Sequence, residues 1–186
     1  MKFLNIPKSK QDCHGNFDFF FNKIPMITFI IIGLSVSDGA RAKAIVYAKV
    51  TSVVDGNTIE VLTKENQKFK VLLYGIDSPE LGQKFGTEAK KFIEGIVLNK
   101  QVEIEFKQKD SHGNHIGIVI FEDRVDLRIE LLKEGLAWTA EKNFPKELEP
   151  YRTWAQRKGR GLWQQENPVP PWIYRRQKAM EEPKIR

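Results

Sequence analysis

The sequence is poor in the residues that build staples and thiol sites. Cys13 is its only cysteine, so no disulfide framework can form within the chain and no cysteine-based zinc site can be assembled. There are three histidines, His14, His112 and His115, and only the last two are close together. The longest apolar stretch, around Lys23–Val36, is too short for a comfortable membrane span. It follows a lysine and is followed by the alanines of "ARAKA" at Ala40–Ala44, the layout of a secretory signal peptide. Residues 1–43 are therefore expected to be a signal region cut near Ala42 or Ala44, with an uncleaved membrane anchor as the alternative. Either way the folded part is expected outside the cytoplasm, secreted or periplasmic. Once Cys13 is removed no thiol remains, which suits an oxidising compartment.

What remains has ordinary globular composition, 41% hydrophobic and 29% charged. The 186 residues favour one compact domain with extras. The net charge of +6 suits an anionic partner, nucleic acid or another polyanion, and suits simple solubility equally well.

From Ala44 the pattern is that of strands. "AIVYAKVTSVV" is rich in β-branched residues and reaches a turn at Asp55-Gly56-Asn57, and "TIEVLT" resumes, so the two runs read as a hairpin. Lys68–Ile76 predicts a third strand. "FGTEAKKFIEGIVLN" has apolar residues at three- and four-residue steps and predicts a helix from Phe85. Gln101–Gln108 and His115–Phe121 predict two more strands. A second helix is marked by Val125, Ile129, Leu131 and Leu132. A third is predicted through "KELEPYRTWAQRKG", with Tyr151, Trp154 and Ala155 on its inner side. Five short strands with a helix after the third predict an α+β protein, a five-stranded OB-type barrel with three packed helices. The barrel domain is expected over 44–163, and residues 164–186 as an extended tail rich in proline, aromatic and basic residues.

The third strand runs into "DSPE", which places Asp77 and Glu80 close together. Loops at one rim of a small barrel can converge, and a hard cation wants several oxygen ligands. Asp77, the Asn57 side chain and the Ser78 carbonyl are suitable types, and Glu80 could take a proton from water. Taken singly, each stretch also fits a plain turn with solvated acids.

Together, "VVDGNTIEV", "VLLYGIDSPELGQKFGTEAKKFI", "LLKEGLAW", "RKGRGLW" and "NPVPPWIYRR" resemble the staphylococcal-nuclease-like, or thermonuclease, family. The resemblance spans about Ala44 to Arg176. It implies a secreted OB barrel and, in active members, a Ca²⁺-dependent nuclease acting on DNA and RNA. It also implies roles at five positions. Asp77 is retained as a calcium ligand and Glu80 as the presumed general base. Asn57 stands where the family has a second calcium-binding aspartate. The two arginines that meet the transition state fall on Leu72 in the third strand and Asn114 in the turn before the fifth. Lys70, His112 and His115 are the nearest candidates to bind a phosphate instead.

The expectation is a monomeric, nucleic-acid-binding barrel with a weakened calcium site and little or no cleavage, because cationic groups are missing beside the acids. A guanidinium delivered there from elsewhere in the chain would reverse that expectation. The alternatives are an active metal-dependent endonuclease and a protein–protein module. The aromatic and basic tail is expected to cover the core.

Overall fold

The computed structural model describes residues 45–181, so the expected signal segment and its cleavage point lie outside the described residues. Five long strands form the barrel: β1 (Ile45–Val53), β2 (Thr58–Thr63), β3 (Lys68–Leu73), β5 (Gln101–Lys109) and β6 (His115–Phe121). They lie in the order β3-β2-β1-β5-β6, and a parallel pairing of β3 with β6 closes the barrel. The short β7 (Val125–Asp126) adds to the outer side of β6.

Alternation decides which side chains face inward. In β2 every second residue is buried, so Ile59 and Val61 point into the barrel beside Val50, Val71, Ile104 and Val119. Helix α1 (Gly86–Val97) lays Ala89, Ile93 and Val97 on this core. Helix α2 (Leu127–Lys133) adds Leu127, Leu131 and Leu132, and α3 (Glu149–Arg157) adds Ala155 and packs on α2. The expected α+β barrel of five strands is what forms.

Several local expectations are corrected. The third strand does not run through to Ile76. It breaks at Tyr74-Gly75, where Gly75 has φ 78°, and resumes as β4 (Ile76–Asp77), which pairs with β8 (Trp138–Thr139). Val125 belongs to β7, and α2 begins only after Asp126, whose carboxylate caps it by accepting from the Arg128 N–H. Pro150 falls in the first turn of α3, where no N–H is needed, and a 3₁₀ turn precedes it. Trp154 is 43% exposed rather than on the inner side, with Arg160 over its ring. Most consequential, the tail is not extended: Pro171–Glu181 is a fourth helix, α4. Pro171 occupies its first position, where the missing N–H costs nothing, and no glycine or proline follows within it. Trp172 packs edge-on against Trp138, so α4 folds back onto the barrel, in line with the expected covering role.

Candidate functional site

The break at Tyr74-Gly75 swings the chain out of the barrel wall and lays Asp77 across from Trp138. A buried ion pair holds that break in place. Arg128 is 3% exposed, forks onto the Asp126 carboxylate, and donates through Nη1 to the Tyr74 carbonyl at 3.0 Å. All this donor capacity is structural, so Arg128 is not free to meet a ligand.

The turn at residues 55–57 and the turn at residues 77–80 are locked together. Asn57 Oδ1 accepts from the Ser78 N–H at 2.6 Å, and Asn57 Nδ2 donates to the Ser78 carbonyl at 3.0 Å. The polarity of the peptide fixes the orientation of the amide, since only its oxygen can accept and only its nitrogen can donate. Asp55 Oδ1 accepts from the Asn57 N–H at 2.7 Å and tightens the first turn. Gly56 lets the two turns approach. A Cβ there would sit 2.7 Å from Ser78 Cβ and 2.8 Å from Ala89 Cβ. Ser78 is fully buried, and its Oγ has no hydrogen-bond partner among the described residues.

Asp77 and Glu80 face the same guanidinium. Arg175 of α4 donates through Nη1 to Asp77 Oδ1 at 3.1 Å and to Glu80 Oε1 at 2.7 Å, and through Nη2 to Asp77 Oδ2 at 2.7 Å. The expected shortage of positive charge beside the acids is therefore corrected: a cation from the chain's C-terminal helix occupies the spot. The rest of α4 is fastened around it. Arg176 donates to Glu141, and Gln83 bridges the two segments by accepting from the Glu80 N–H and donating to the Val169 carbonyl. Burial pushes the Asp77 carboxyl above its ordinary pKa. The Arg175 hydrogen bonds and charge oppose this, while Glu80 and Asp55 add to it. The Arg175 guanidinium is held protonated more firmly than usual, chiefly by its hydrogen bonds to Asp77.

These residues do not fit a calcium ion as arranged. Asn57 Oδ1 and the Ser78 carbonyl, two of the expected ligands, are spent on each other's segments. The two carboxylates converge on a guanidinium where a divalent ion would need to sit. No group of three metal-ligating side chains occurs among the described residues.

The other predicted residues divide. Leu72 on β3 lies opposite Thr58 and Ile116 and lines an open cleft of about 330 Å³ with Tyr74, Gln108, Ile116 and Lys142. Asn114 closes its own turn by donating from Nδ2 to Asp110 Oδ2 at 2.9 Å. His112 is exposed in the same turn and its N–H also donates to Asp110. Lys70 is exposed on β3. His115 is corrected from a phosphate ligand to a packing residue: its ring lies 4.4 Å from Phe106 and 5.0 Å from Phe69. Burial there, with the charge of Lys109, lowers its pKa.

Arg175 is the site residue that sequence reasoning did not place. The signal for its helix was present in Pro170-Pro171 followed by a run of helix formers. Nothing in the sequence points from position 175 to acids nearly a hundred residues away.

Comparison with known proteins agrees with the fold. A family model described as "Staphylococcal nuclease homologue" matches residues 70–165. An "Uncharacterized endonuclease" of Haemophilus influenzae is 34% identical over 160 residues, covering 85% of this chain and 88% of that protein. An "Uncharacterized endonuclease" of Escherichia coli O157:H7 is 32% identical over 134 residues, covering 72% and 87%. A "Micrococcal nuclease" of Shigella flexneri is 30% identical over 139 residues, covering 69% and 79%.

Proposed function

The chain belongs to the family of staphylococcal nuclease homologues, and on that premise we propose that its barrel binds nucleic acid while cleaving phosphodiester bonds weakly or not at all. The guanidinium that Arg175 brings to the mouth would reverse this reading only if it were free to receive charge, and one observation carries the reading that it is not. The guanidinium on the acid pair spends three hydrogen bonds on Asp77 and Glu80, while Leu72 and Asn114 hold the two places where the family resemblance implies arginines. A phosphodiester approaching this mouth meets two carboxylates and one cation already neutralised by them. A phosphorane-like state needs donors free to receive its charge. Losing one such donor costs about 10²–10³ in rate, and effects of two need not add. Binding is supported by lysines that have no carboxylate partner among the described residues, Lys70 and Lys109 on the barrel strands and Lys142 in the cleft beside Leu72. An exported location belongs to the same proposal, supported by the apolar segment Lys23–Val36 and the alanines after it.

The test is incubation of purified protein with supercoiled plasmid and with single-stranded DNA and RNA, across Ca²⁺, Mg²⁺ and Mn²⁺, beside Glu80→Gln. The expected result is salt-sensitive binding with no cleavage that depends on Glu80. Metal-dependent nicking that vanishes in Glu80→Gln would overturn it.

One observation favours a second reading, an active endonuclease with Glu80 as general base. Arg175 lies within hydrogen-bond reach of both acids, and its Nε makes no hydrogen bond among the described residues. If α4 yields, this one arginine could serve a phosphate on the same mouth. That reading predicts cleavage by the wild type that is lost on replacing either Glu80 or Arg175.

A further inference from the structure

We infer that the outer face of α3 is a second contact for single-stranded nucleic acid, taking an unpaired base on Trp154 and the flanking phosphates on Lys146 and Arg157. It lies apart from the acid mouth, and it rests on the proposed function only in that the domain binds nucleic acid.

The first support is an exposed ring that is held in place. Trp154 is 43% exposed, although Ala155 next to it is fully buried and α3 packs on α2. An indole left in water forgoes the stabilisation that burial would give. Arg160 steadies it: its Cζ lies 5.4 Å from the ring centroid, and its guanidinium is anchored by donating to Glu134. A flat, exposed and steadied ring is a platform on which any unpaired base can stack.

The second support is charge. The ring opens onto a cleft of about 480 Å³ that Lys146, Glu149, Thr153 and Arg157 also line. Glu149 is neutralised by Arg152, which donates to it. Lys146 and Arg157 are exposed and have no carboxylate partner among the described residues. The cleft therefore carries a positive surplus, the complement of a phosphate backbone.

The third support is layout. Pro150, Trp154 and Arg157 follow at four- and three-residue steps, so they share one face of α3. Lys146 stands four residues earlier, in the 3₁₀ turn that leads into the helix. The two cations thus bracket the ring, roughly 16 Å apart along the helix axis. They do not converge on one point, as a site for a lone phosphate would. A strand laid along this face meets a cation on each side of its stacked base. A duplex keeps its base faces inside its own stack and offers the indole nothing, so the layout selects single strands. No residue lining this cleft also lines the cleft beside Glu80 and Arg175.

The experiment follows the anisotropy of fluorescein-labelled oligothymidylate, and of a labelled hairpin duplex, titrated with the full chain in EDTA so that metal-dependent cutting cannot contribute. Trp154→Ala should bind oligothymidylate about tenfold more weakly, and Trp154→Phe, which keeps a ring, within about twofold of wild type. Arg157→Gln should weaken binding and flatten the slope of log affinity against log salt by about 0.7, the signature of one lost phosphate contact on a single strand. Arg124→Gln removes an exposed cation from the turn before β7 and should leave that slope unchanged. The duplex should bind wild type and Trp154→Ala alike. Melting curves confirm that each variant is folded. Equal affinity of wild type and Trp154→Ala for oligothymidylate would overturn the proposal. So would an equal loss on the duplex, because the ring would then serve something other than an unpaired base. A wild type that binds neither probe sinks the proposed function as well. Binding that is intact but indifferent to Trp154 and Arg157 sinks only the α3 contact, so the two failures can be told apart.

Discussion

Asn57 occupies a place where the family resemblance implies an aspartate, and the substitution Asn57→Asp should weaken the fold. The amide serves both polarities of one residue's backbone, its oxygen at 2.6 Å from the Ser78 N–H and its nitrogen at 3.0 Å from the Ser78 carbonyl. A carboxylate keeps the first bond and strengthens it, because an acceptor with full charge is worth roughly 1 kcal/mol more than a neutral one. It loses the second outright. Ser78 is fully buried, so its carbonyl is left with no partner, at a cost of about 1–3 kcal/mol. The new carboxylate also joins Asp55, Asp77 and Glu80, and like charges add to the loss. The losses outweigh the gain, leaving a net destabilisation of about 1–2 kcal/mol, or a fall in Tm of roughly 3–6 °C for a domain of this size. Urea unfolding followed by tryptophan fluorescence, at pH 7 with a chelator present, measures it directly. The sign of the pH dependence gives a second check. Protonating the introduced carboxyl supplies an O–H that can donate to the Ser78 carbonyl, so the gap between variant and wild type should narrow as the pH falls toward the ordinary carboxylate range. A variant as stable as wild type at pH 7, or a gap that widens on acidification, would refute this account of the clamp.

Gly56→Ala should cost about 1–3 kcal/mol, because its Cβ would press on Ser78 and Ala89, and Ala89→Gly should recover part of the loss in the same urea titration. Arg128→Ala leaves the Asp126 carboxylate buried without its partner and the Tyr74 carbonyl bare. A loss of about 3–5 kcal/mol is expected in thermal melts, with no comparable loss from the exposed Arg176→Ala. Burial, with the charge of Lys109, lowers the pKa of His115 in the fold. The unfolded chain therefore takes up its proton first, so the stability it contributes is full above about pH 6.5 and is lost as the pH falls below that. His115→Phe keeps the ring beside Phe69 and Phe106 and should flatten that part of the Tm-against-pH curve; an unchanged slope would show that another group titrates there.

Strand alternation, the hairpin turn and the apolar spacing of α1 made the barrel legible, since each is a local pattern with a local cause. The misreadings fall where tertiary contacts outvote the pattern. Lys68–Ile76 is one apolar run in sequence, yet Gly75 and the buried Arg128 pull it into two strands, and that break is what turns Asp77 out of the wall. His115 sits near a charged turn in sequence, but its inward register sends it between two phenylalanines. The acids at 77 and 80 were legible as a pair because a single proline turn delivers both. Their cation was not, since a salt bridge spanning 98 positions leaves no periodicity to read. Counting arginines at expected places therefore measured only the barrel's own contribution to the mouth. The missing charge arrives through a helix in a segment that reads as an extended tail, and it arrives bound to both acids. The charge at the mouth is thus set by Arg175 of α4 together with the residues at 72 and 114.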